Sequence, residues 1–131
     1  MSMRVYIAAS SMELERVDYW AAQLVAAGIE VSSTWPISVR EHGANPRESS
    51  NRQRSVWALR CLDEIRESYV VWFLVPPLDK PTRGAWAELQ LAYSLDIVLI
   101  CSGDTRQSVF CALGEEYATD VEAFNRIVSL T

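Results

Sequence analysis

Hydrophobic positions follow two periods along this chain. Met3 to Ala9, "MRVYIAA", is a β-branched and aromatic run, and Leu14, Val17, Trp20 or Ala21, Leu24 and Val25 then recur at helical spacing. This predicts a strand, a tight turn with Ser10 or Ser11 as N-cap, and a helix ended by Gly28. Ile29 to Trp35 predicts a second strand. From Pro36 to about Asn51 the chain holds Pro, Gly, Asn, Ser and mixed charge with almost nothing apolar. That predicts a long loop in a domain where connections usually run ~4–6 residues, and such loops are disordered or functional.

Asn51 to Ser68 again has helical spacing, with Val56, Leu59, Leu62 or Asp63, and Ile65 or Arg66 on one face. Tyr69 to Val75, "YVVWFLV", is apolar throughout and predicts a central strand covered on both sides. Pro76 and Pro77 stop it. A loop to Gly84, a helix over Ala85 to Leu95 and a buried strand over Ile97 to Ser102 follow. Ser108 to Leu113 predicts a short last strand, and a final helix starts near Thr119 with Val121, Phe124, Ile127 and Val128 on one face.

Strands alternating with helices, and central strands without polar alternation, predict a parallel sheet with helices on both faces. The expected fold is a three-layer α/β/α sandwich, flavodoxin/Rossmann-like, with about five mostly parallel strands in a single domain over residues 1–131. Such sheets bind ligands at the carboxyl ends of their strands, where strand order reverses. The loops so selected are Ala8 to Met12, Trp35 to Ser50, Pro76 to Gly84 and Cys101 to Gln107.

Charge narrows the partners. Twelve Lys and Arg against 17 acids leave a formal charge of -5, which argues against a nucleic acid polymer or an anionic membrane and for a small solute. The start lacks a long apolar stretch with a small-residue cleavage site, and no run approaches the ~20 apolar residues of a membrane span, so a cytoplasmic location is expected. Cys61, Cys101 and Cys111 lie in apolar contexts without C-x-x-C pairing, and His42 is the only histidine. Buried thiols are expected, with no metal site and no cofactor.

Several side chains are candidates for chemistry. Glu88 follows "TRGAW" near the start of its helix, flanking the stripe of Trp86, Leu89 and Tyr93, which Leu91, Ala92 and Leu95 widen. Spacing leaves two readings: a solvated glutamate, the commoner case, or a reagent facing the cleft. Asp63 stands among Leu59, Leu62 and Ile65, where an acid is paired, by Arg60 or Arg66, or does work. The first loop, "AASS", has no glycine, yet Ala8, Ser10 and Ser11 bring backbone N–H groups and two hydroxyls to a helix N-terminus, which suits phosphate or a sugar oxygen as well as a simple cap. Trp35 offers a face for stacking, and Arg83 a cation beside the Glu88 turn.

Together "VYIAAS", "LDEIRESYVVWFLV" and "RGAWAELQLAYSLDIVLI" resemble the nucleoside 2-deoxyribosyltransferase superfamily, which includes the 2'-deoxynucleoside 5'-phosphate N-hydrolases. Tyr6, Asp63, Gly84, Glu88, Leu89 and Ala92 fall at matching positions over most of the chain. The resemblance implies attack of the Glu88 carboxylate on C1' of a (deoxy)nucleoside or its 5'-monophosphate, with a glycosyl-enzyme intermediate passed to water or a second base. It implies that Tyr6 orients Glu88 and that Asp63 manages a proton at the leaving base or fixes the sugar. Ala8, Ser10, Ser11, Trp35, Asp79, Arg83 and Gly84 are the implied substrate contacts, in a homodimer or larger homo-oligomer.

The pattern departs from the family in places. Gln90 stands where the family has Gly, and Thr82 where the transferases commonly have Asp, leaving Asp79 as the nearest acid. Near the last strand the chain offers Ser108 and Cys111. These departures support the alternative of a non-catalytic nucleotide-binding or sensor domain on the same fold. A flavodoxin-like electron carrier is disfavoured, because the first loop lacks the hydroxyl and glycine run of an FMN phosphate site.

Overall fold

The structure is a computed structural model that describes residues 3–131. Five strands form one sheet: β1 (Arg4–Ala8), β2 (Glu30–Val31), β3 (Val70–Leu74), β4 (Val98–Ser102) and β5 (Glu115–Tyr117). Their order is β2-β1-β3-β4-β5 and every pairing is parallel. The helices are α1 (Leu14–Ala26), α2 (Trp35–His42), α3 (Asn51–Arg66), α4 (Gly84–Ser94) and α5 (Asp120–Ser129). This is the expected three-layer α/β/α sandwich, and strand order reverses between β1 and β3.

Period-two alternation sorts each strand between two cores. Val5, Ile7, Val70, Trp72, Leu74 and Ile100 pack with Val17, Trp20 and Leu24 of α1 and Ala123 and Ile127 of α5. Tyr6, Ala8, Val71, Phe73, Leu99 and Cys101 face the other way, against Ile65 of α3 and Ala85, Leu89 and Ala92 of α4. All five residues of β3 are buried, which is why its sequence is apolar throughout.

The segment after Trp35 is not a bare loop. It forms α2 and a 3-10 turn over Pro46–Glu48. Pro36 sits in the first turn of α2, Gly43 closes it with φ +84, and Arg40 and His42 occupy the last turn. These stop and start signals carry little apolar content, so helical periodicity does not reveal them. An ion pair from Arg40 to Asp18 ties α2 to α1.

The predicted strand at Ser108 to Leu113 is also replaced, by a 3-10 helix over Val109–Leu113. The last strand comes just afterwards as β5, three mostly polar residues on the sheet edge, where one neighbour suffices. Gly114 admits this turn, because a Cβ there would stand 2.5 Å from the Leu99 carbonyl oxygen. Helix α1 begins after Ser10 and Ser11 rather than on them, with Glu13 at the N-cap.

Two helix faces are rotated from expectation. On α3, Ile65 is buried and Trp57, Cys61 and Leu62 are half-buried, whereas Val56 and Leu59 face solvent. On α4 the buried stripe is Ala85, Leu89 and Ala92, leaving Tyr93 and Leu95 exposed. Glu88, three residues after Ala85 and four before Ala92, therefore lies within the inward face. Trp20 is buried and Trp57 and Trp86 are half-buried, while Val56 and Leu59 of α3, Tyr93 of α4 and Phe110 are exposed apolar side chains. Among the described residues no helix is long and apolar enough to cross a membrane.

Candidate active site

A cleft of about 660 Å³ opens at the carboxyl ends of β1 and β3. Glu88 lines it from α4, Cys61 and Leu62 from α3, and Trp35 from the start of α2. A larger hollow of about 820 Å³ lies at the opposite, amino ends of the strands, by Met3 and Tyr69. Its one acidic side chain, Glu67, pairs with Arg4 at 3.6 Å, and parallel sheets of this order bind ligands at the carboxyl end.

Tyr6 and Glu88 meet on the wall of the cleft. Tyr6 is fully buried on β1 and directs its ring toward the α3/α4 layer, where its hydroxyl donates a hydrogen bond to Glu88 Oε2. Burial raises the Glu88 carboxyl to about 7, although the Tyr6 bond pulls it down, and the charge of Glu64 adds to the rise. Burial and the neighbouring Glu88 hold the Tyr6 hydroxyl well above its ordinary value, so it stays protonated and donates. Cys61 stands beside the pair, and burial pushes its thiol up to about 11. A neutral thiol fills the wall without adding charge.

The acid that α3 turns toward the site is Glu64, not Asp63. Asp63 lies on the exposed face and pairs with Arg66 at 3.5 Å. Glu64 accepts from the Thr34 backbone N–H at 2.9 Å and from Thr34 Oγ1 at 2.5 Å. Thr34 is the N-cap of α2, so Glu64 anchors the helix that carries Trp35. Trp35 is fixed further by its indole N–H, which donates to the Ile7 carbonyl at 2.8 Å. The adjacent residue had no distinguishing sequence signal except its one-position offset from buried Ile65.

The remaining expected contacts divide. Ser11, Arg83 and Gly84 line the cleft with Trp35. Ser10 is fully buried; its hydroxyl accepts from Met12 N–H at 3.2 Å and donates to the Pro81 carbonyl at 3.3 Å, joining two loops rather than facing a ligand. Ala8 is buried among core side chains, and the neighbouring Ala9 reaches the cleft instead. Asp79 is exposed in the turn after the two prolines and does not line the cleft. Arg47, from the segment after α2, faces the same space. Among the described residues, no three His, Cys, Asp or Glu side chains converge as metal ligands.

Behind the cleft, Arg16 holds the strand ends together. It donates to the Val75 carbonyl at 2.8 Å and the Ser102 carbonyl at 3.4 Å while making a two-pronged pair with Asp120, at 2.8 and 2.7 Å. Asp120 also accepts from Ser102 Oγ at 2.7 Å and Trp20 Nε1 at 3.1 Å. The chain running from Val75 to Glu88 thus leaves a fixed point. Sequence patterning does not link Arg16 with an aspartate 104 positions away.

No protein-family model matches the chain, and no curated protein matches it. Solved structures do. A conserved protein from Enterococcus faecalis V583 superposes with a TM-score of 0.68 at 13% identity, covering 99% of each chain. The CMP N-glycosidase BcmB of Clostridium botulinum superposes with a TM-score of 0.59 at 16% identity, covering 98% of this chain and 99% of that one. At such identities the property this chain shares with a nucleotide N-glycosidase is its fold, over nearly the whole length of both.

Proposed function

We propose that this protein cleaves or transfers the N-glycosidic bond of a nucleoside or nucleoside 5'-monophosphate, with Glu88 as nucleophile. The observation that carries the reading is a carboxyl raised to about 7, held by a buried tyrosine, and opening into the cleft at the switch point of the sheet. The fold shared with a CMP N-glycosidase supports the same substrate class.

In this mechanism Tyr6 engages Oε2 and leaves Oε1 to attack C1'. The C1'–N bond breaks as the C1'–O bond forms, through an oxocarbenium-like transition state, and the bond's electron pair departs with the base. Water or a second base then displaces the ester and releases Glu88. Trp35 and Cys61 line the cleft beside Glu88. Arg83 and Arg47 at the rim form no salt bridge among the described residues and suit a 5'-phosphate. The apolar residues exposed on the α3/α4 side support self-association of two copies, which light scattering would measure.

The test is chromatographic detection of free base after incubation with ribo- and deoxynucleosides and their 5'-monophosphates, with and without an acceptor base. Base release by wild type and none by Glu88→Ala is expected. The acceptor lanes separate hydrolysis from transfer. Binding without release from any substrate would replace this reading with that of a nucleotide-binding domain.

A further inference from the structure

A second pocket, about 310 Å³, opens beside the cleft between α2 and α3. Trp35, Cys61 and Gly84 line both spaces, while Glu88 lines only the cleft. Trp57 forms part of its wall, with its ring 5.2 Å from that of His42. Two indoles in a small, mostly apolar space suit a flat heteroaromatic ring. A carboxylate attacks one face of a sugar while the leaving group departs from the other. A sugar in the cleft with C1' at Glu88 would thus have its base directed away from that carboxylate, and the adjoining pocket shares the Trp35, Cys61 and Gly84 wall of the cleft.

One charged side chain lines this pocket, Arg60. Among the described residues it makes no salt bridge and no side-chain hydrogen bond, unlike Arg66 six residues further on. Its charge acts on the Cys61 thiol in the shared wall. Arg60 is exposed in the free protein and lines the same pocket as Trp35 and Trp57. The pocket otherwise contributes no carboxylic acid or imidazole to protonate a departing base.

We propose that this pocket receives the leaving base and that Arg60 is a further catalytic residue, whose guanidinium hydrogen-bonds the carbonyl oxygen beside the departing ring nitrogen of a 2-oxopyrimidine. The inference rests on the N-glycosidase reading above. As the C1'–N1 bond breaks, its electron pair stays on N1 and spreads to O2, where Arg60 meets the charge. Glu88 forms the new bond to C1'. When water later attacks that carbon, its hydroxyl remains on the sugar and its proton goes to the base, which leaves neutral.

The experiment compares wild type, Arg60→Lys and Arg60→Ala on uridine and cytidine 5'-monophosphates and on the 5-fluorouracil analogue, whose base is a better leaving group. Arg60→Ala is expected to lower kcat roughly 100-fold on the natural bases. It should lose roughly tenfold less on the fluorinated one, because less charge then needs stabilising. Millimolar guanidinium ion should restore part of the lost rate, and Arg60→Lys should retain part of it. A loss equal on all substrates without guanidinium rescue, or no loss at all, overturns the proposal. Base release absent even with wild type refutes the glycosidase reading itself; quenching of tryptophan fluorescence by free uracil then decides the pocket separately. Quenching lost in Arg60→Ala upholds Arg60 as a base-binding residue, and quenching absent or unchanged overturns it.

Discussion

Tyr6, buried on β1, donates its hydroxyl hydrogen bond to Glu88 on α4, joining residues 82 positions apart at the wall of one cleft. The bond favours the ionised carboxylate, whereas burial and the charge of Glu64 favour the protonated one. A nucleophile must be ionised. Activity should therefore rise with pH through a midpoint near 7, the value burial sets for Glu88. Tyr6→Phe should move that midpoint upward and lower kcat by roughly 10–100-fold, as expected for a lost hydrogen bond to a charged group. A pH–rate profile of both proteins checks this, and activity falling through pH 7 would assign Glu88 as a general acid instead.

The same carboxyl destabilises the fold when ionised. Its folded value of about 7 lies above its ordinary 4.5, so its contribution is fully present below pH 4.5 and is lost as pH rises through 7. Glu88→Gln removes the titration. The variant should gain up to about 3 kcal/mol relative to wild type at pH 8 compared with pH 4, less where cleft water solvates the charge. Urea denaturation at the two pH values measures the difference.

Glu64 has a separate effect, because it both anchors Thr34 and repels charge at Glu88. Glu64→Gln should shift the acidic midpoint of activity downward while retaining part of the Thr34 contact. Glu64→Ala should also release the start of α2, costing about 1–3 kcal/mol, and should change Trp35 fluorescence. An unchanged pH profile in Glu64→Gln would show that its charge does not reach the nucleophile.

The Arg16–Asp120 pair contributes to stability in a pH-dependent way. Burial raises the Asp120 carboxyl, but hydrogen bonds from Arg16, Ser102 and Trp20 and the charge of Arg16 outweigh it and hold the group below its ordinary 3.8. Its stabilisation is thus present above pH 3.8 and is lost as pH falls through the lower folded value. Asp120→Ala should cost about 1–3 kcal/mol at pH 7, since it removes two hydrogen bonds of the guanidinium and leaves Arg16 held by Glu13 and the strand-end carbonyls. The cost should shrink toward pH 2, a trend that chemical denaturation tests.

Gly114→Ala should destabilise the edge of the sheet by about 1–3 kcal/mol, because the new methyl meets the Leu99 backbone. Hydrogen exchange should localise the loosening to β5 and the 3-10 helix before it.

Much of this architecture follows from sequence patterns that are local. The apolar run over β3 needs no partner to be recognised, since a strand covered on both faces has no polar side to display. The helices α1, α3, α4 and α5 are visible for the same reason, through side chains that recur every three or four residues. Helix α2 escaped because it is short and mostly solvated, and its evidence was a proline at one end and a glycine at the other.

What the sequence by itself determined is the alternation of strands and helices, the carboxyl-end loops, and the placement of Tyr6 and Glu88 on elements that flank the cleft. Only the tertiary structure decided which way each side chain points. Adjacent helix residues differ by about 100°, so Ile65 in the core turns Glu64 toward Thr34 and leaves Asp63 in solvent. The same rotation buries Ala85, Leu89 and Ala92 and takes Glu88 inward to Tyr6, a choice made by packing against the sheet, which no local pattern encodes.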